Sequence, residues 1–334
     1  MDQRDQELLA VLQEDIPLVS TPFAFIGQTL DMSEKEVLKR TDRLRRDGAI
    51  RHLGAQFDVR ALGYRTSLVA ARVDPDRIDD AAAVVNAHPG VTQNYRRNND
   101  LNLWFTIHVS PFSRLGMDET VAVLQQQTGC ETMRPLQTLR IYKGGGEGEA
   151  PSELENKPPV PLTEQEVEAV RLLQGEMPLQ PRPFDVLTRG AGIIAEDLLT
   201  AARSMTARGQ LRRLAATVQS RKPGFSASAM GVWIVPDARV DEYAERFVQH
   251  RAVSHCHLRT TYSDWPYNIY TTVRARSVDE CESVINDLAA DFQLSGKQTL
   301  FPLKEYRKSG LDLFSPAAGE WERTWGADRA AAAG

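Results

Sequence analysis

Between Val253 and Val273 the chain reads VSHCHLRTTYSDWPYNIYTTV, which holds two of its six histidines together with a cysteine, an arginine, three tyrosines and a tryptophan. His255, His257 and Arg259 stand at every second position. In an extended strand that spacing puts all three on one face and Cys256 on the other. An imidazole can give or take a proton near neutral pH, or ligate an iron. A guanidinium keeps its charge and meets a carboxylate through two parallel N–H bonds. Tyr262, Trp265 and Tyr267 follow closely; they suit either the apolar face of a large ligand or the protein core. Cys256 reads equally as a small buried hydrophobe.

The elements that position this row occur twice. STPFAFIG at 20–27 has its counterpart in PRPFDVLTRG at 181–190, and Pro22-Phe23 falls 161 residues before Pro183-Phe184. Gly48 and Gly209 keep the same offset, as do Gly63 and Gly224. The offset is 162 at Val91 and Val253 and 166 at Asn102 and Asn268, so four residues are inserted between Val253 and Asn268. The repeat sets Gln93 against His255, Tyr95 against His257 and Arg97 against Arg259, with Arg96 between the last two pairs.

Each half opens with two or three short helices. MSEKEVLKRTDRLRRDGAI shows Ser33 as N-cap, Glu36 in position to complete a capping box and Gly48 as the stop. A strand-like run follows, giving a winged helix-turn-helix pattern. The order β-α-β-β-α-β comes next, which is a ferredoxin-like module. The expected fold is therefore α+β, a tandem repeat. The segments are 1–60 (winged helix-turn-helix), 61–143 (ferredoxin-like), 144–162 (a Gly, Pro and Glu-rich flexible linker), 163–221 (winged helix-turn-helix), 222–310 (ferredoxin-like) and 311–334 (C-terminal tail). The two sheet modules are expected to pair within one chain; whether the chain also forms a homodimer is open.

Composition excludes several classes. Of 334 residues 42% are hydrophobic and 25% charged, as in ordinary globular domains. The net charge of −5 gives no global field for nucleic acid. Three widely spaced cysteines suit a reducing cytoplasm better than a disulfide framework. The first residues, MDQRDQELLA, lack the pattern of a signal peptide, and no apolar run is long enough to span a membrane.

The order of elements resembles the Lrp/AsnC regulators, doubled. Within that architecture, Asn94-Tyr95-Arg96-Arg97 with Asn102-Leu103-Trp104-Phe105, and His255-Cys256-His257-Leu258-Arg259 with Trp265-Pro266-Tyr267-Asn268, resemble the siroheme decarboxylases. That family pairs a chain bearing H-N-Y-x-R and N-L-W-F with one bearing H-C-Y-x-R and W-P-Y-N, and some members fuse the two. Two positions depart from the pattern: Gln93 stands in place of a histidine and His257 in place of a tyrosine.

The resemblance implies loss of CO2 from two acetate side chains of siroheme, at C12 and C18, to give 12,18-didecarboxysiroheme for haem d1 or an alternative haem route. It implies no added cofactor, because the macrocycle itself can accept electrons, and no metal held by the protein. His255 or His257 is a candidate ligand to the substrate's own iron. In this reading His255, His257 and Arg259 are catalytic. Gln93, Tyr95, Arg96, Arg97, Arg51, Arg212, Arg213, Tyr262, Trp265 and Tyr267 bind substrate, in one pocket shared by both halves. Arg51, Arg212 and Arg213 read also as solvated surface charges.

Two competing functions share the architecture. One is a DNA-binding regulator, suggested by the basic KEVLKRTDRLRR but not by its second-half counterpart AEDLLTAARSMTARG, since a two-fold reader of half-sites needs both helices competent. The other is a haem-binding sensor or carrier without turnover.

Overall fold

The computed structural model describes residues 1–144, 152–153, 159–218 and 227–326. Most of the expected linker, Gly224-Phe225 and the last eight residues lie outside that range. The first half runs α1 (Gln3–Glu14), α2 (Pro22–Thr29), α3 (Glu34–Arg46), β1 (Ile50–Phe57), β2 (Arg65–Arg72), α4 (Ile78–Asn86), β3 (Val91–Arg97), β4 (Leu103–Val109), α5 (Gly116–Thr128), β5 (Thr132–Lys143) and β6 (Ser152–Glu153). The second runs α6 (Glu164–Leu173), α7 (Pro183–Leu187), α8 (Ala195–Ala207), β7 (Leu211–Val218), β8 (Ala227–Trp233), α9 (Val240–Gln249), β9 (Val253–Arg259), β10 (Ile269–Ala275), α10 (Val278–Asp291), β11 (Lys297–Leu300), β12 (Pro302–Lys308) and α11 (Pro316–Trp325). None of these helices is long and apolar enough to cross a membrane.

The chain divides into two units. One holds residues 1–64, 158–221 and 312–316 and contains the helical triplets of both halves. Pro22 and Pro183 open their helices at the first position, where the missing N–H costs nothing. Ser33 accepts from the Glu36 N–H, but the Glu36 carboxylate binds Arg40 instead of closing the capping box. Gly48, at φ 76°, ends α3 in the left-handed conformation. The ribbon after the helices differs from a hairpin wing. Each half gives one strand, and β1 pairs antiparallel with β7, Leu53 opposite Ala216 and Ala55 opposite Leu214.

The second unit holds residues 65–157, 222–311 and 317–334. Its two modules follow the expected order, β2-α4-β3-β4-α5-β5 and β8-α9-β9-β10-α10-β11 with β12. Their strands form one sheet, in the order β11-β8-β10-β9-β5-β2-β4-β3-β12. The last strand of each module serves both. Residues 132–137 of β5 pair with β2 of their own module, and residues 138–143 pair with β9 of the other. Likewise β11 pairs with β8 and β12 with β3. Because β11 and β12 are parted by Phe301 alone, the sheet's two ends are successive pieces of one segment.

Among the described residues of this unit, three apolar clusters form. One lies under α4 and α5 around Val69, Val85, Phe105 and Leu124, and a second under α9 and α10 around Trp233, Phe247, Val273 and Ile285. The third, built from Ala70, Trp104, Leu136, Val232, Trp265, Tyr270 and Leu300, joins the inner faces of the two modules. Residues 316–325, within the stretch expected to be tail, form α11, whose Trp321 enters the first cluster and meets His88 edge-on at 4.4 Å.

Candidate active site

Strand β9 fixes the central row. Val253 and Cys256 point into the core beneath α9 and α10. They stand three apart because a register shift between Thr272 and Val273 of β10 accommodates one extra residue, Ser254. From Cys256 onward the alternation is regular, and His255, His257 and Arg259 take the other face. The two imidazoles lie 5.9 Å apart, edge to face.

Their hydrogen bonds set different tautomers. Ser254 Oγ donates to the Thr272 carbonyl (3.1 Å), so toward His255 Nδ1 (3.0 Å) it accepts. His255 therefore carries a proton on Nδ1. Arg259 Nη2 lies 3.1 Å from His257 Nδ1. A guanidinium has no acceptor, so His257 Nδ1 accepts and the neutral ring holds its proton on Nε2.

Arg259 is held by its partner module: Nη1 donates to Thr138 Oγ1 (2.8 Å) and to the Leu136 carbonyl (3.0 Å), both on β5. Its guanidinium lies 5.4 Å from the centre of the Tyr270 ring. Tyr270 stands opposite His257 on β10 and accepts from Trp265 Nε1 at 2.7 Å. A cavity of about 590 Å³ shares Arg259 as a wall with Arg140, Asp241, Thr260 and Asn268.

The loop lengthened by four residues closes over β5. Tyr262 Oη donates to the Pro135 carbonyl (2.8 Å), Arg134 lies over the Tyr262 ring at 5.0 Å, and Arg134 pairs with Asp264 at 3.2 Å. Trp265 is core, packed 5.5 Å from Trp104 in the inter-module cluster. Tyr267 rests 4.7 Å from Trp265. Burial raises the pKa of Tyr262 and of Tyr267.

The first-half residues gather elsewhere. Gln93, Tyr95 and Arg97 share a face of β3, with Tyr95 bonded to Glu305 of β12. Arg96 points the opposite way, toward Asp79 of α4. Strands β5, β2 and β4 separate β3 from β9 in one direction, and β10, β8, β11 and β12 in the other. Each row is completed by the other module's last strand, β9 by β5 and β3 by β12.

Arg51, Arg212 and Arg213 lie on β1 and β7 of the other unit, all exposed, with Arg212 paired to Asp58 (2.8 Å) and Arg213 bonded to Gln56 (2.9 Å). Sequence reasoning missed Arg134, Thr138 and Tyr270. The one signal was the Y-N-I-Y-T-T-V alternation, which sets Tyr270 on the histidine face.

Comparison with known proteins adds a family. A model described as the AsnC-like ligand binding domain matches residues 61–143 and 222–307, and one described as the siroheme decarboxylase NirDL-like HTH domain matches 5–51 and 166–212. A siroheme decarboxylase of Hydrogenobacter thermophilus (strain DSM 6534 / IAM 12695 / TK-6) is 33% identical over 96% of this chain and 98% of its own. The chain belongs to the siroheme decarboxylase family. It is thereby a carboxy-lyase. A crystal structure of the siroheme decarboxylase NirDL in co-complex with an iron-uroporphyrin III analogue superposes with a TM-score of 0.83 at 30% identity, covering 98% of this chain and 99% of that one. The siroheme decarboxylase alpha subunit of Desulfovibrio desulfuricans (strain ATCC 27774 / DSM 6949 / MB) matches 43% of this chain and 81% of its own length at 41% identity. This chain is thus a fused form of a family that also occurs as separate subunits.

Proposed function

We propose that the chain converts siroheme to 12,18-didecarboxysiroheme in haem biosynthesis, for haem d1 or an alternative haem route, in the cytoplasm and with no added cofactor. Each acetate, –CH2–CO2⁻, takes up one proton and leaves as CO2 and a ring methyl. When the C–C bond breaks, its electron pair passes into the conjugated macrocycle, and the proton then converts the methylene to a methyl group. The protein must bind a polyanion, cover an apolar ring and deliver that proton.

The observation that carries the reading is the row of His255, His257 and Arg259 on one face of β9, with Ser254 Oγ at His255 Nδ1 and Arg259 Nη2 at His257 Nδ1. His255, bonded to Ser254, is suited to hold and release a proton as general acid. His257 Nδ1 accepts from Arg259 and so orients a guanidinium that a substrate carboxylate can share. The NirDL complex with an iron-uroporphyrin III analogue supports a macrocyclic polycarboxylate as ligand.

Anaerobic incubation of the protein with siroheme, followed by mass spectrometry, tests the proposal. The expected product is lighter by two CO2. Tight binding with unchanged mass would make the protein a carrier and defeat the assignment.

A further inference from the structure

We propose that the Arg97 cluster on β3 is a second tetrapyrrole site, which holds a carboxylate-bearing macrocycle without turning it over. The proposal rests on the siroheme reading above. The internal repeat preserves the whole anchor. Arg97 N donates to Asn102 O and Arg259 N to Asn268 O, both at 2.8 Å. Asn102 and Asn268 clasp the backbones of Val73 and Val235 with the same pair of distances, 3.0 and 2.7 Å. Arg97 Nη1 donates to the Leu300 carbonyl (3.1 Å), as Arg259 does to Leu136. Trp104 lies 5.8 Å from Arg97 where Tyr270 lies 5.4 Å from Arg259.

The surroundings of the Arg97 anchor suit a carboxylate and not a proton transfer. Arg97 has a buried Nε with no hydrogen-bond partner and no carboxylate in ion-pair reach among the described residues. Desolvation brings its pKa down to about 10. A partly desolvated guanidinium of this kind is complemented by a carboxylate. Lys308, exposed and opposite Gln93, places a second cation on the same edge. Gln93 and Tyr95 replace the two histidines, so no side chain of this row can deliver a proton near neutral pH.

Anaerobic titration with iron-uroporphyrin III, followed by its absorption, reads the number of macrocycles per chain. The expectation is two for the parent protein and one each for Arg97→Gln and Arg259→Gln. Gln93→Glu, an exposed change that leaves the core intact, should weaken one of the two sites at least tenfold. Titrations with siroheme and with its didecarboxylated product identify which of them the second site prefers. A parent stoichiometry of one, lost with Arg259→Gln and kept with Arg97→Gln, overturns the second site and leaves the active site standing. No binding to the parent protein overturns the siroheme reading itself.

Discussion

At the scale of single residues, Arg259 links the halves and the chemistry, since one guanidinium touches β5 of one module and His257 of the other. Losing one side of a desolvated charge pair costs about 2–5 kcal/mol. Arg259→Ala should therefore weaken siroheme binding tens-fold or more in an absorption titration. Lysine should restore little, because it lacks the planar fork that reaches Thr138, Leu136 and His257 together. Wild-type affinity in both variants would show that the arginine serves the fold alone. Between the histidines, Cys256 is buried and its thiol is pushed up to about 12. It should resist alkylation at pH 8 in the native protein and react only on unfolding. The H-x-H-x-R row was legible in the sequence because strand alternation is a local property. The ring partners were not, since that of His255 depends on Ser254 reaching Thr272 across a bulge and that of His257 on Arg259.

At the scale of elements, α3 looked basic enough to read DNA, but the structure engages its arginines. Arg40 binds Asp2, Asp5 and Glu36, Arg43 binds Asp5, and Arg45 and Arg46 bind Asp42. Duplex binding at low salt should accordingly show no sequence preference; nanomolar specific binding would restore the regulator reading. Burial would raise the Asp5 carboxyl, yet the Asp2 N–H, Arg40 and Arg43 outweigh it and hold it at about 2. A folded pKa below the unfolded value stabilises above the unfolded pKa, and that stability is lost as pH falls from 3.8 toward 2. Asp5→Asn should thus lower the melting temperature at pH 7, and the gap from wild type should narrow across that acid window. The inserted loop has a packing role as well: Trp265→Ala should cost about 3–5 kcal/mol in denaturant unfolding, because it empties the inter-module core. Helices and strands were legible from periodicity and caps. The β1–β7 pairing, the shared last strands and α11 were not, because each depends on a partner far away in the chain.

At the scale of the whole molecule, the halves interleave. Neither sheet module is complete without the other's last strand, and the histidine row needs Thr138 and the Leu136 carbonyl from the first half. Residues 161–334 expressed alone should lose turnover, and mixing with residues 1–160 should partly restore it, in keeping with a family that also occurs as separate subunits. The repeat and the fold class were readable from the offset of 161 to 166 residues, and the strand order that sets β3 and β9 in one sheet was not, because it depends on pairings far apart in the chain. The central claim is that CO2 leaves at the second-half row with His255 as acid. Its most direct test is the single-turnover rate of siroheme prebound under anaerobic conditions, in wild type and His255→Ala. A loss of about 10²–10⁴ in rate with near-normal affinity is predicted; an unchanged rate would contradict the claim.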